Sequence, residues 1–262
     1  MTTQIGRPEG EAPPQDGAPI EHWTMAGTVH GPLSRWQAES LVEGEAVTHA
    51  DPTPLGLVAL ASATITVGAV FAGWFGPLGM LIAIPVLLVV GGVGMFLAGM
   101  WAFRRGDVLT ASAFSALGTL YAALALLFWL ISSRLVLATA AFTGALGTAG
   151  IFLLTFALIT AGLGVAALRV NLLLSGVFFV LALAYLCMGI GIWAMPSYWL
   201  DLINDGASTT NASPHWLLAI GGYLGILAAL AALYQAIAII TNSASRYEVL
   251  PVFQRWPQAW RA

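Results

Sequence analysis

The sequence contains no lysine, a single cysteine and very little charge of either sign. Charged residues make up 8% of its 262 residues. A soluble domain carries about 25%, so this chain cannot clothe a water-facing surface. All nine basic residues are arginine, against 12 acids and a net charge of −3. No basic patch exists, which excludes a nucleic-acid partner. The lone Cys187 cannot close an intrachain disulfide and reads as a small buried hydrophobe. His22, His30, His49 and His215 show no metal-ligand spacing. A Gly-rich phosphate loop, an HExxH pair and a serine nucleophile elbow are all missing. The sequence therefore predicts no enzyme, no metal and no cofactor. Residues 1–50 lack the apolar core of a cleavable signal peptide, so insertion is expected to begin at the first true span.

What the chain does have is apolar length. Six stretches, Leu55–Phe75, Leu78–Phe103, Val108–Ile131, Thr148–Leu168, Leu172–Trp193 and Trp216–Ile240, hold no Asp, Glu, Lys, Arg or His. A hydrocarbon core of about 30 Å takes about 20 helical residues, so each is long enough to cross. Apolar residues are 59% of the chain and the mean hydropathy is +0.86. The fold class that follows is an all-α integral membrane protein with six transmembrane helices. Charge-free spans also remove the buried carboxylates and histidines on which many proton-relay pumps depend.

Three regions are expected. Residues 1–50 carry Pro8, Pro13, Pro14, Pro19 and Pro32 between acids, the composition of a disordered tail, with a weak apolar pattern over Trp23–Val42 for a short interfacial helix. Residues 51–245 form the six-helix domain, and 246–262 a C-terminal tail. Six spans put both termini on one side, together with Arg104, Arg105, Arg169, Arg246 and Arg255; only Arg134 faces the other way. That asymmetry predicts both termini in the cytoplasm. The outer loop Ala194–His215, with Asp201 and Asp205 and no base, agrees.

Within the spans the chemistry is polar but uncharged. Ser62, Thr66, Ala69 and Gly73 share one face of the first helix, and Ser112, Ser115, Thr119 and Ala122 one face of the third. Such stripes suit a pore lining, or helix packing with each hydroxyl bonded to a carbonyl one turn back. Glycines in the second, fourth, fifth and sixth spans, among them Gly221 and Gly225 as a GxxxG step, suit close packing within a bundle or between protomers. Pro85 predicts a kink in the second span. The most pointed local signal is Asp51-Pro52-Thr53-Pro54-Leu55-Gly56-Leu57. Residues before proline are driven extended, so Thr53 is expected as N-cap with Pro54 at the first helical position. The free N–H groups of that helix start suit an anion such as a carboxylate.

This heptad resembles the N-P-A-P-L-G-L signature of the acetate uptake transporter family, which includes bacterial succinate–acetate permeases and fungal acetate/ammonia exporters. Collinear segments agree. Ala98-Gly99 and Arg104-Arg105-Gly106-Asp107 are similar to the family's F-A-G-x-x-E-x-K-K-G-N. Ala113-Phe114, Ser115 and Gly118 are similar to T-A-F-T-S-Y-G. Tyr234, Ala236, Asn242 and Val249-Leu250-Pro251 keep the spacing of Y-L-A-M-G-E-V-L-N…V-L-P. The resemblance implies six helices around a narrow central path, a homo-hexamer in the plasma membrane, and proton-linked movement of small monocarboxylates such as acetate, or of succinate. Asp51, Pro52, Pro54, Leu55, Gly56, Ser112, Ser115 and Thr119 are the expected solute-binding residues. The family's pore constriction maps onto Leu60, Leu117 and Phe178, with Phe179 as the neighbouring register. Its third-span tyrosine is Leu117 here and its two glutamates are Ala102 and Ile239, so the constriction is expected to lack a hydroxyl. Passage of another small solute such as ammonia, and a non-transporting structural subunit, are the alternatives.

Overall fold

The computed structural model describes residues 50–75, 78–133, 139–194, 216–245 and 249–252. The expected N-terminal tail, its Trp23–Val42 helix, the loop 195–215 with Asp201 and Asp205, Arg134, Arg246 and Arg255 lie outside the described residues. Six helices long and apolar enough to cross a membrane are present among those described. They are α1 (Thr53–Phe71), α2 (Leu78–Pro85 continued through Val86–Gly94 and Met95–Arg104), α3 (Val108–Ser132), α4 (Thr139–Ala167), α5 (Leu172–Ala194) and α6 (Trp216–Ser245). The chain is a multi-pass membrane protein.

The spans keep their expected places, with shifts at particular ends. Helix α1 begins at Thr53, with Pro52 rather than Thr53 as its N-cap. Asp51 explains the difference: its Oδ1 accepts from the Thr53 backbone N–H (3.0 Å) and hydroxyl (2.7 Å). The first helical N–H is thereby satisfied from outside, and Pro54 still fits the opening turn, where no N–H is needed. The helix stops at Phe71 instead of Phe75, and Gly73 turns the chain with φ 77°. Helix α4 starts nine residues before the expected Thr148, because Ala140, Ala141 and Phe142 continue the apolar helical run.

Pro85 acts differently from a simple kink. It closes the first α-helical piece of α2, and Val86–Gly94 then adopts the wider π-helical winding before Met95 resumes the α-helix. Proline lacks the N–H that an α-helical ladder requires, and Gly91, Gly92 and Gly94 make rewinding cheap. The wider turn seats Gly91 between α1 and α3. A Cβ there would lie 2.8 Å from the Cβ atoms of both Ala63 and Tyr121.

Neighbouring helices run antiparallel in the order α3–α2–α1–α6–α5–α4. Two crossings bring backbones together through paired glycines. A Cβ on Gly222 would lie 2.5 Å from the Gly68 carbonyl oxygen (α6 on α1), and one on Gly150 2.9 Å from that of Gly189 (α4 on α5). The GxxxG step is used inside the protomer as well: Gly221 faces Ala184 and Met188, and Gly225 faces Met188 and Thr64.

Candidate functional site

Helices α1, α3 and α5 start at the same end of the bundle, each with a side-chain oxygen over its first N–H groups. Asp51 serves α1. The Asp107 carboxylate accepts from Thr110 N–H (3.1 Å) and hydroxyl (2.7 Å) for α3. Asn171 Oδ1 accepts from Leu173 and Leu174 N–H for α5. Arg105, in the α2–α3 turn, reaches across to Asp51 at 2.7 Å, tying the start of α1 to that turn. Arg104 lies 4.7 Å over the Trp101 ring. The start of α1, expected to suit an anion, is thus capped by the chain's own Asp51. Pro52 and Gly56 are buried, Gly56 directly under the Phe114 ring, while Leu55 is exposed and Pro54 half-buried.

Two contacts fix the register between α1 and α3. Gly56 meets Phe114, and two turns on Thr64 meets Tyr121. Leu60 and Leu117 fall midway between these pairs, so they sit at one level of the bundle, both fully buried. On α5, Phe178 is buried and Phe179 exposed, so of the two it is Phe178 that faces the interior. Phe178 precedes Tyr185 by two turns and Leu181 precedes it by one. At 1.5 Å per residue, Leu181 is level with Leu60 and Leu117, and Phe178 about 5 Å nearer the helix starts. Leu60, Leu117, Leu181 and Phe178 belong to one continuous buried apolar cluster.

One turn beyond that layer is a cluster that sequence reasoning missed. Tyr121 Oη lies 2.5 Å from Thr64 Oγ1 and 3.0 Å from Tyr185 Oη, and Thr64 Oγ1 is 2.6 Å from the Leu60 carbonyl oxygen. All three side chains are at most 1% exposed. Leu60, Leu117 and Phe178 carry no hydroxyl, as expected, but three hydroxyls lie one helical turn beyond them. The available signal was the i, i+4 spacing of Leu60 to Thr64 and Leu117 to Tyr121, which places each pair on one face.

The expected hydroxyl stripe of α3 lies elsewhere. Ser112 and Thr119 are exposed, and Thr119 donates to the Ala116 carbonyl. Ser115 Oγ is pressed against Gly99 of α2, with no hydrogen-bond partner. None of the three joins Leu60, Leu117 and Phe178. On α1, Ser62 and Thr66 donate back to the carbonyls of Val58 and Ser62. The α6 residue Gln235 is a second polar group that the sequence pattern hid: it is 2% exposed, and its Oε1 has no partner. Near the C-terminus, Asn242 binds the backbone of Val249 and Leu250 on both sides of its amide, and Tyr234 Oη donates to the Pro251 carbonyl. The spacing of Tyr234, Asn242 and Val249-Leu250-Pro251 is thus a physical clamp.

Comparison with known proteins agrees with this architecture. Acetate permease A of Emericella nidulans is 29% identical over 212 residues, covering 79% of this chain and 67% of the relative. The succinate-acetate/proton symporter SatP of Escherichia coli K12 is 24% identical over 203 residues, covering 78% of this chain and 95% of the relative. The solved structure of the bacterial acetate channel SatP superposes with a TM-score of 0.63 at 23% identity, covering 78% of this chain and 99% of that one, and so shares the fold. The family model matched over residues 37–255 spans the six helices and both motif-bearing ends. The chain belongs to the GPR1/FUN34/yaaH family.

Proposed function

We propose that this protein carries small monocarboxylates, acetate first among them, across the plasma membrane along the axis enclosed by α1, α3 and α5. The observation that carries this reading is the two-layer interior. An apolar layer of Leu60, Leu117, Leu181 and Phe178 is followed one turn later by the hydroxyls of Thr64, Tyr121 and Tyr185. Apolar side chains suit a methyl group and exclude hydrated ions, and a small polar cluster orients one carboxyl group. The relatives named as an acetate permease, a succinate-acetate/proton symporter and an acetate channel support the same solute class. The function moves a solute and makes no covalent change to it.

Entry lies at the end where Thr53, Val108 and Leu172 open their helices, which the arginine asymmetry assigns to the cytoplasm. Asp51 borders this mouth without contesting it, since Thr53 and Arg105 occupy its carboxylate. A hexamer is part of the same proposal and rests on the family resemblance. In a Cys187→Ala background, a thiol placed at Ser208 should react with an impermeant reagent outside intact cells, and one at Ser243 should not. The reverse labelling sinks the orientation.

The function is tested by [14C]acetate uptake into proteoliposomes, compared with formate, succinate and ammonia and corrected for protein-free liposomes. Protein-dependent acetate uptake is expected. Ammonia movement without acetate movement would replace the substrate, and no solute flux at all would favour a structural subunit.

A further inference from the structure

Helix α2 ends on two consecutive arginines that part company. Arg105 turns across to α1, where its guanidinium meets the Asp51 carboxylate at 2.7 Å. Arg104 stays with its own helix, its guanidinium 4.7 Å from the centre of the Trp101 ring one turn back. Among the described residues Arg104 has no carboxylate partner. Helical spacing gives the face on which it stands. Ala98, Gly99 and Ala102 bury the inner side of these turns, whereas Leu97, Met100, Trp101 and Arg104 recur at three and four residues on the outer side. Leu97, Met100 and Trp101 are 57%, 47% and 50% exposed, an apolar strip that the described helices leave uncovered. Length gives the depth. The span Gly79–Arg104 has 26 residues, about 39 Å at an α-helical rise, against a hydrocarbon core of about 30 Å. Its last turn, with Arg104, therefore reaches the headgroup layer while Leu97 stays among the acyl chains.

We propose that this outer end of α2 binds one anionic phospholipid, with the Arg104 guanidinium on the headgroup phosphate and an acyl chain along Trp101, Met100 and Leu97. A guanidinium over an indole ring keeps its N–H edges for an anion, and two parallel N–H groups match the two free oxygens of a phosphodiester. The ring also holds the arginine in place beforehand, so less side-chain freedom is lost on binding. A net-anionic headgroup fits better than a zwitterionic one, whose own ammonium competes for the phosphate. The apolar strip beneath the cation is matched by a lipid chain and by nothing in a dissolved phosphate ion. Binding there has a structural consequence. Gly106 turns the chain at φ 73°, and Asp107 then caps α3. A lipid that fixes Arg104 steadies the turn that is tied to α1 through Arg105 and to the start of α3 through Asp107. The inference does not depend on which solute the bundle carries.

Native mass spectrometry and thermal unfolding of the full chain in detergent, with added phosphatidylglycerol or phosphatidylcholine, read the site. Phosphatidylglycerol should bind in preference to phosphatidylcholine and raise the thermal midpoint, because a ligand of the folded state stabilises it. Arg104→Gln should weaken phosphatidylglycerol binding roughly five- to tenfold and remove the preference. Arg105→Gln removes the same charge one residue away. It should lower the starting midpoint slightly, through loss of the Asp51 pair, yet keep the increment from phosphatidylglycerol. Trp101→Leu, which keeps an apolar side chain, should give an intermediate loss. Equal loss in Arg104→Gln and Arg105→Gln would reduce the effect to general surface charge and overturn the site, as would the absence of any preference in the unaltered protein. Inorganic phosphate that raised the midpoint as far as phosphatidylglycerol would mean an ion without a lipid and would overturn it too. A second copy of the chain is the competing occupant of the strip. In a Cys187→Ala background, Leu97→Cys should form no disulfide between copies under mild oxidation, and efficient formation would assign the strip to the oligomer instead.

Discussion

The two faces of α3 invert what their composition suggests. The face with the hydroxyl stripe, Ser112, Ser115 and Thr119, looks away from the centre of the bundle or into the seam with α2. The face that reads as plain core, Phe114, Leu117 and Tyr121, lies in the interior and holds both the apolar layer and the hydroxyl cluster. In a helix a serine or threonine can satisfy itself on a carbonyl one turn back, so its position says little about a path. A buried tyrosine oxygen stands too far from its own backbone to do so and must find a partner on another helix. Tyr121 and Tyr185 mark the polar interior here, and Thr64 joins them while also bonded back to the Leu60 carbonyl.

The sharpest way to break this comparison is charge. Leu117→Asp places a carboxylate in the apolar layer without a partner, a cost of several kcal/mol. Acetate uptake should be abolished, with loss of folded material on gel filtration. Thr119→Val, a near-isosteric change two residues away on the exposed face, should retain uptake. Equal loss from both would erase the distinction between the faces. Leu117→Ala should have the next largest effect. It removes side-chain volume at a cost of about 2–5 kcal/mol if the site does not collapse. The opened layer should raise the relative uptake of succinate over acetate, read as a ratio in one proteoliposome preparation.

At the helix starts the effects should be smaller. Asp107→Ala removes the oxygen that holds Thr110 and should cost about 1 kcal/mol, seen as a lowered thermal midpoint in detergent. Asp51→Asn breaks the partly exposed pair with Arg105 but keeps an oxygen for the Thr53 N–H. Its cost should be at most about 1 kcal/mol and should shrink further in high salt. Substitution along the outer stripe comes last: Ser112→Ala should change stability by about 0.5 kcal/mol or less and leave acetate uptake unaltered. A strong loss of uptake in Ser112→Ala would return the stripe to the path.

Much of this architecture was legible in the sequence because the bilayer sets a length and forbids charge. Six apolar runs without charged residues fixed the helices to within a few residues at most ends. The heptad at Asp51 located the start of α1, though not the capping role of its first residue. That role depends on a backbone turn and on Arg105, 54 positions away. Leu60, Leu117 and Phe178, read from family resemblance, all lie in the buried core. The hydroxyl cluster stayed hidden because its members belong to three separate helices and only the register between helices joins them. The π-helical stretch after Pro85 was equally out of reach. Proline in a span announces a disturbance, and packing of Gly91 against Tyr121 decides its form.

The claim beneath all of this is that the solute passes between α1, α3 and α5, on the face of α3 that carries Leu117. It is tested most directly by single thiols placed in a Cys187→Ala background, one at Leu117 and one at Ser112, treated with a small thiol reagent during acetate uptake. Modification at 117 should stop uptake, and excess acetate should slow the modification. Modification at 112 should leave uptake unchanged, with no protection by acetate. Block and protection at 112, with 117 inert, would place the path on the other face of α3 and contradict the account.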